Sequence, residues 1–290
     1  MSLGIVIKGP EGIVLAAESR VTLTITQEQN HEKHLIPVSF DNATKLLSFS
    51  EPNKSIGVVT YGQAIIGLND PRTAASFLPE LEESLPKKDR LSVSEFANKF
   101  SEFYLKQWKV NMPENYKGPD MTFVIGGFNV DEPYGKVYLV EIPRSPTPIE
   151  HHGNLGEFGI TFGGQREIVD RLLMGFDSRL IQDLKTQLNL QGDQIKKLDD
   201  ITRKYQSPLP IAVLALQDCV DLAIFYIRAT IAVQNFTVGV RGVGGAIDVA
   251  IIKRNEPLQF VQRKYIHGES EAQYGTTIHS HIHNQKLARG

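Results

Sequence analysis

The stretch EGIVLAAESRVT, Glu11 to Thr22, places charge where an apolar strand could simply have stopped. Ile13, Val14 and Leu15 run into Ala16 and Ala17, and a carboxylate and a guanidinium follow at Glu18 and Arg20. A serine, Ser2, stands second in the chain. A serine hydroxyl is a poor nucleophile at neutral pH unless a base lies within hydrogen-bond reach. An internal serine borrows that base, usually from a histidine. A serine at an N-terminus carries its own, because an α-amine has an ordinary pKa of about 7.7–8.0, near the pH at which a general base works best. Methionine aminopeptidases remove Met1 when the next residue is small, so Ser2 is expected to become that N-terminus. Other reactive side chains form weaker patterns. His279, His281 and His283 in HSHIH would share one face of an extended segment and could bind a metal, yet no nearby carboxylate or cysteine completes a site, so a solvated tail and no metal are expected. GVRGVGG precedes a strand instead of opening a helix, unlike a nucleotide-phosphate loop. His151-His152 falls in a turn and carries no further signal. Cys219 lies in the apolar stretch LALQDCVDLAIF and reads as a buried structural cysteine.

The elements that must position these groups belong to a globular chain. It has 290 residues, 41% hydrophobic and 22% charged, which excludes disordered and fibrous classes. A net charge of −2 offers phosphate backbones and anionic lipid no general attraction, so neither nucleic acid nor membrane is an expected partner. No run approaches the roughly 18 apolar residues of a membrane span. The start lacks a secretory pattern, and one cysteine cannot form an internal disulfide, so a cytoplasmic protein is expected. No repeat, linker or shift in composition divides the sequence, which favours one domain over residues 1–290.

Ser2 to Lys8 and Ile13 to Ala17 read as a hairpin around Gly9-Pro10-Glu11-Gly12. Residues 23–44 read as polar and irregular. TKLLSF and SIGVVTYG read as two further strands, making a four-stranded sheet in the first sixty or so residues. A helix is expected from Asp70, broken by Pro79. A stronger one starts at Ser92 with Ser94 as a candidate cap and Phe96, Phe100 and Phe103 on one face. MTFVIGGFN, GKVYLVEIP and EFGITFGG restore strands. Helical regions are expected from Gln165 to about Asn189 and from about Pro210 to Asn235, followed by strands in GGAIDVAIIKR and PLQFVQRKY and a polar tail after about residue 265. Strand clusters separated by helix pairs suit two packed sheets covered by helices, an α+β arrangement, better than alternating βαβ units.

GIVLAAESRVT resembles the start of proteasome β-type subunits, where an apolar strand ends in a small-small-acid-x-Arg-x-Thr pattern. In that family the mature chain begins with its nucleophile sixteen residues before the acid, and counting back sixteen from Glu18 reaches Ser2 without a gap. TKLLSF resembles the strand that carries the family's catalytic lysine, which implies Lys45. IGVVTYG resembles the strand ending in its oxyanion-hole glycine, which implies Gly62. VIGGFN…GKVYLVE and GGAIDVAII resemble later paired strands and a glycine-glycine signature. Residues 177–210 have no counterpart there and read as a helical insertion. The resemblance implies the four-layer αββα sandwich of N-terminal-nucleophile (Ntn) hydrolases, an amide or peptide bond hydrolase without a cofactor, a peptide or protein substrate and a homo-oligomer. It also implies a supporting role for Arg20, main-chain contacts to an extended substrate at Thr22, and a small, mostly apolar specificity pocket at Val21, Thr60 and Ala64. The segment from Leu23 to Thr44 would lie near the cleft.

With that arrangement the chemistry follows. Ser2 would attack a carbonyl with its own amine as base, giving an acyl-enzyme that water, or another amine, resolves. Lys45 would stabilise the developing alkoxide and lower the amine's proton affinity by like-charge repulsion. Glu18 would hold the lysine and balance its charge, and the Gly62 N–H would face the oxyanion. Each residue also has a plain reading: Ser2 as the residue after an initiator methionine, Glu18 and Arg20 as a solvated strand end, Lys45 as a surface lysine, Gly62 as a turn glycine. The sequence departs from active relatives where they carry, shortly before the late glycine pair, an aspartate and a serine that help hold the N-terminus; Val240 and Val243 stand there, and Gly163 or Gly164 matches a further serine. These departures favour the alternative of a noncatalytic, structural proteasome-like subunit.

Overall fold

The computed structural model describes residues 2–29, 32–68 and 70–266. Residues 267–290, which include His279, His281 and His283, lie outside the described residues.

The first strand, β1 (Leu3–Lys8), pairs antiparallel with β2 (Ile13–Glu18), and every residue of both is buried. Their apolar runs are continuous because both faces are covered. Val6, Ile13, Leu15 and Ala17 point into one apolar layer, while Leu3, Ile5, Ile7, Val14 and Ala16 point into another. Alternate side chains of a strand leave on opposite faces, so a strand buried on both sides has no polar position to give up. Next comes a long hairpin, β3 (Val21–Gln29) with β4 (Glu32–Phe40), paired from Val21↔Phe40 to Gln29↔Glu32. This corrects the expectation of an irregular segment over 23–44. Threonine alternates with apolar residues in VTLTIT, a β-branched, period-two pattern that suits a strand.

β5 (Leu46–Ser48) and β6 (Ile56–Gly62) follow, then the short pair β7 (Ile65–Ile66) and β8 (Arg72–Thr73). A 3-10 turn at Ala74–Phe77 leads into α1 (Leu78–Ser84). Pro79 thus opens a helix in place of breaking one, since its missing N–H falls among the first-turn donors that have no intrahelical partner anyway. In α2 (Val93–Asn111) the cap is Ser92, not Ser94: the Ser92 hydroxyl accepts from the Glu95 N–H while the Glu95 carboxylate accepts from the Ser92 N–H. β9 (Met121–Gly127), β10 (Lys136–Ile142), β11 (Ser145–His151) and β12 (Gly159–Gly164) come next. β11 has no counterpart in the sequence reading, since its two prolines and exposed alternate positions mask it.

The expected helix from Gln165 to Asn189 is interrupted. α3 (Glu167–Met174) ends at Gly175 in the left-handed conformation, α4 (Ser178–Gln187) starts from an Asp177 cap, and α5 (Asp193–Arg203) follows. α6 (Leu216–Phe236), β13 (Ile247–Ile252) and β14 (Gln259–Gln262) complete the chain.

Two five-stranded sheets result, ordered β12-β1-β2-β13-β14 and β11-β10-β9-β6-β5, antiparallel at every pair. The first four expected strands therefore do not share a sheet: β1 and β2 sit in one, β5 and β6 in the other. Three apolar layers hold them. Phe96, Phe100, Tyr104 and Trp108 of α2 pack on Val58, Phe123 and Ile125 of the second sheet. Ala223, Tyr226 and Ile227 of α6, with Val169 of α3, pack on Ile5, Val14 and Val249 of the first. Between the sheets lie Leu15, Val59, Val124 and Val137. Helices, sheet, sheet, helices: the chain has the expected α+β four-layer sandwich.

Candidate active site

The β1–β2 register explains why a separation of sixteen matters. Gly4 pairs with Ala17, so Leu3 stands at Glu18 and Ser2 lies just past the strand end at the same edge. The Leu3 N–H donates to Glu18 Oε1 at 3.3 Å. Lys45 comes from the other sheet, one residue before β5, and its carbonyl accepts from the Thr60 N–H at 2.9 Å, which fixes its height against β6. Its Nζ donates to Ser2 Oγ at 2.9 Å, to Glu18 Oε1 and to the Arg20 carbonyl. Ser2, Glu18 and Lys45 are therefore brought into one hydrogen-bonded cluster, with Ser2 3%, Glu18 1% and Lys45 4% exposed.

Burial pushes the Lys45 ammonium below its ordinary value against the opposing pull of Glu18; Lys264 and Arg20 push the same way as burial. Burial also pushes the Glu18 carboxyl up, opposed by Lys45 and by backbone donors. Those donors are the N–H of Arg20, 2.6 Å from Oε2, and of Gly244, 3.1 Å from Oε2. A carboxylate with three backbone donors and a lysine is desolvated but fully partnered, which is the condition under which a buried pair survives.

Gly62 ends β6 with φ +84°, and a Cβ there would run into the Asp120 carbonyl oxygen. Only glycine adopts this conformation freely in that space. Gly62 shares a cavity of about 20 Å³ with Ser2, Val21, Lys45, Thr60 and Ala64, space for about one water molecule. Ala43, Thr73 and Ala74 also line it, and sequence reasoning did not single these out. Thr22 falls outside this cavity. It lines an adjoining groove of about 510 Å³ with Gly62, Ala64, Tyr116 and Val240, and its hydroxyl lies 3.1 Å from that of Ser39 across the hairpin.

Arg20 holds the base of that hairpin. Its Nε and Nη2 bind the Asp41 carboxylate at 2.6 and 2.7 Å, a fork that holds the Asp41 carboxyl below its usual value. Asp41 carried no signal in the sequence, because its partner is 21 residues away across a hairpin that was not expected. The late glycine loop closes over the acid: Ser19 donates from its N–H to the Gly244 carbonyl at 3.1 Å and from its hydroxyl to the Ala246 carbonyl at 2.7 Å. Val243 is buried in the layer beneath α6 and Val240 is half exposed. On the nucleophile's other side, the Gln165 N–H donates to the Ser2 carbonyl at 2.7 Å, and Gly164, at φ +94°, leaves that oxygen the space a Cβ would fill. Cys219 is buried beneath Gly9, away from this cluster. Among the described residues no group of three or more histidine, cysteine, aspartate or glutamate side chains could hold a metal ion, and no helix is long and apolar enough to cross a membrane.

No family model matches the sequence, and the search of curated proteins finds no match. Among solved structures the chain is similar to an Anbu Gly-1 mutant from Hyphomicrobium sp. strain MC1, with a TM-score of 0.52 and 12% identity over 100% of this chain and 98% of that one. A helical assembly of the Anbu complex from Pseudomonas aeruginosa aligns with a TM-score of 0.49 and 13% identity over 97% of this chain and 96% of that one. The first likeness, at 12% identity, speaks to architecture alone: the fold is the proteasome-like sandwich, and any chemistry must be argued from this chain's own residues.

Proposed function

We propose that the chain is an N-terminal-nucleophile amide hydrolase resembling proteasome β-type subunits, with Ser2 as nucleophile once Met1 has been removed. The observation that carries this reading is the placement of Lys45 Nζ, 2.9 Å from Ser2 Oγ while it is also paired with Glu18. A lysine used only to neutralise Glu18 would have no need to touch the serine. In the mechanism, the free α-amine of Ser2 takes the hydroxyl proton as Oγ attacks the scissile carbonyl. A charged Lys45 stabilises the alkoxide and, by like-charge repulsion, lowers the proton affinity of the adjacent amine. The Gly62 N–H faces the tetrahedral oxyanion, and losing one such donor typically costs about 10²–10³ in rate. The amine then protonates the leaving amine, and water resolves the acyl-enzyme. A cavity of about 20 Å³ beside Ser2 admits a small side chain on the acyl side of the scissile bond, and the groove past Thr22 takes an extended peptide. The reaction needs no cofactor.

A second reading, a structural subunit without activity, is favoured by one observation: Val243 is buried in the core and Val240 turns to the groove, so neither supplies the polar contacts expected near an N-terminal amine. On either reading we propose a cytoplasmic homo-oligomer. Intact-mass analysis before and after an epoxyketone probe tests them. An epoxyketone closes a ring using both the hydroxyl and the free amine of one residue, so loss of Met1 with an adduct on Ser2 supports the enzyme. Retained Met1 and no adduct refutes it.

A further inference from the structure

We propose that Gln165 and Gln234 form an amide couple that positions the Ser2 nucleophile, taking the place of the charged and hydroxyl groups that Val240 and Val243 cannot supply. The inference rests on the reading of Ser2 as nucleophile.

The contacts form a closed circuit. The Gln165 backbone N–H donates to the Ser2 carbonyl at 2.7 Å. Gln165 Oε1 accepts from Gln234 Nε2 at 2.6 Å, and Gln234 Oε1 accepts from the Val243 N–H at 3.0 Å. The next residue, Gly244, donates its N–H to Glu18 Oε2 at 3.1 Å. Glu18 Oε1 accepts from Lys45, and Lys45 donates to Ser2 Oγ at 2.9 Å. Ser2 is thus tied by its carbonyl and its hydroxyl to the two ends of one chain of bonds, and the couple spans the only part of that chain bridged by side-chain amides. Gln165 starts the turn between β12 and α3; Gln234 stands on the last turns of α6, whose Tyr226, Ile227 and Thr230 are buried against the first sheet. A rigid helix therefore sets the height of the glycine loop that holds Glu18.

The couple is neutral, and that matters among the charges around it. Glu18 is matched by Lys45, Asp41 by Arg20, Asp248 by Lys264 and Asp170 by Arg166; Arg241 sits on the loop itself, its carbonyl accepting from Arg20. A carboxylate at 234 would add a negative charge to this set, in which the Arg241 guanidinium donates to the Asn235 carbonyl at 3.3 Å, and raise the proton affinity of nearby amines. Two amides fix geometry without that cost.

The test uses the full chain and the variants Gln234→Leu and Gln234→Glu. The α-amine is labelled by 13C reductive methylation and titrated by NMR, and the rate of adduct formation with a β-lactone is followed by intact mass from pH 5 to 9. Gln234→Leu opens the circuit and is expected to slow adduct formation at least tenfold at every pH. Gln234→Glu keeps an acceptor for the Val243 N–H but loses the Nε2 donor to Gln165 Oε1, so it is expected to label more slowly than the unaltered chain, with the amine titration and the labelling midpoint both raised by about one pH unit. Should Gln234→Leu fail to fold, Gln234→Glu carries the test alone. Unchanged amine titration and unchanged labelling in a folded variant overturn the couple while leaving Ser2 as nucleophile. Amine titrations that shift as stated, with no adduct on Ser2 in the unaltered chain, support the couple and remove the hydrolase reading. Retained Met1, visible in the intact mass, removes both.

Discussion

Replacing Lys45 by methionine separates what the lysine does for the fold from what it does for the serine. Glu18 is 1% exposed and would lose its ion-pair partner, keeping the N–H groups of Leu3, Arg20 and Gly244. Breaking a buried pair by removing one partner costs about 3–5 kcal/mol, and three surviving donors argue for the lower end, about 3 kcal/mol. At roughly 2–4 °C per kcal/mol for a chain of this size, the melting temperature falls by about 6–12 °C. The loss depends on pH, with a sign fixed by Glu18. Burial already raises its folded pKa against the pull of Lys45, and without the lysine the folded value rises further. A carboxyl whose folded pKa exceeds its unfolded one favours the fold when protonated, and that contribution is lost as pH climbs from about 4.5 through the folded value. The deficit of Lys45→Met relative to the unaltered chain is therefore small near pH 4.5 and full at pH 8. Adding Glu18→Gln removes the stranded charge, so the double variant recovers most of the stability at pH 8 but still fails to label with an epoxyketone. Thermal unfolding across pH, with intact mass after probe treatment, decides the matter. A deficit flat with pH, or a double variant no more stable than the single one, refutes the buried-pair account; labelling that survives in either variant removes Lys45 from the chemistry.

Gly62→Ala must adopt φ +84° with its Cβ against the Asp120 carbonyl, so a cost of about 1–3 kcal/mol is expected, together with a fall of about 100-fold in β-lactone labelling as the N–H is displaced; a denaturant melt and adduct kinetics measure the two. Arg20→Ala removes a partly exposed fork worth about 1 kcal/mol or less, but it frees the base of the β3–β4 hairpin, and limited proteolysis should cut between residues 21 and 40 at least several-fold faster while the melt barely moves. Ala64→Leu fills the cavity beside Ser2 and should halt labelling by probes with a bulky acyl side chain while sparing the smallest ones, read as a ratio of rates within one variant. Tyr104→Phe strips the buried hydroxyl from the Ala74 carbonyl, 2.7 Å away, and a denaturant melt should register a loss of about 1–3 kcal/mol.

What the sequence made legible was what local pattern and strand register encode. Apolar runs buried on both faces announce β1 and β2, and because hairpin pairing converts a sum of positions into a spatial neighbour, the interval from Ser2 to Glu18 already states that the two lie at one edge. Lys45 was named only by the resemblance of TKLLSF to a family strand; its register fixes its place against β6, not its place beside Ser2. The β3–β4 hairpin carried a period-two signal, but in threonine instead of in strongly apolar residues, and polarity outweighed it. Sheet membership was not readable at all. A strand pattern says which faces are covered, not by what, so four early strands look like one sheet although the chain passes from one layer to the other between β2 and β5, through the β3–β4 hairpin. Least legible were the contacts that complete the site from afar. Gln165 and Gln234 are 69 residues apart, and Gln234 and Val243 meet only because a 21-residue helix crosses the sheet and returns through a glycine loop. A glutamine near the end of an apolar helix has no signature that separates it from any solvated one, so its role becomes visible only when the helix is packed. The same packing argument bears on the two valines. Their side chains look like an argument against activity while the loop is read as a string of residues, yet it is the loop's backbone, not its side chains, that reaches Glu18 and the amide couple. A site whose polar contacts come from main-chain N–H groups can change its side chains to valine and keep its geometry.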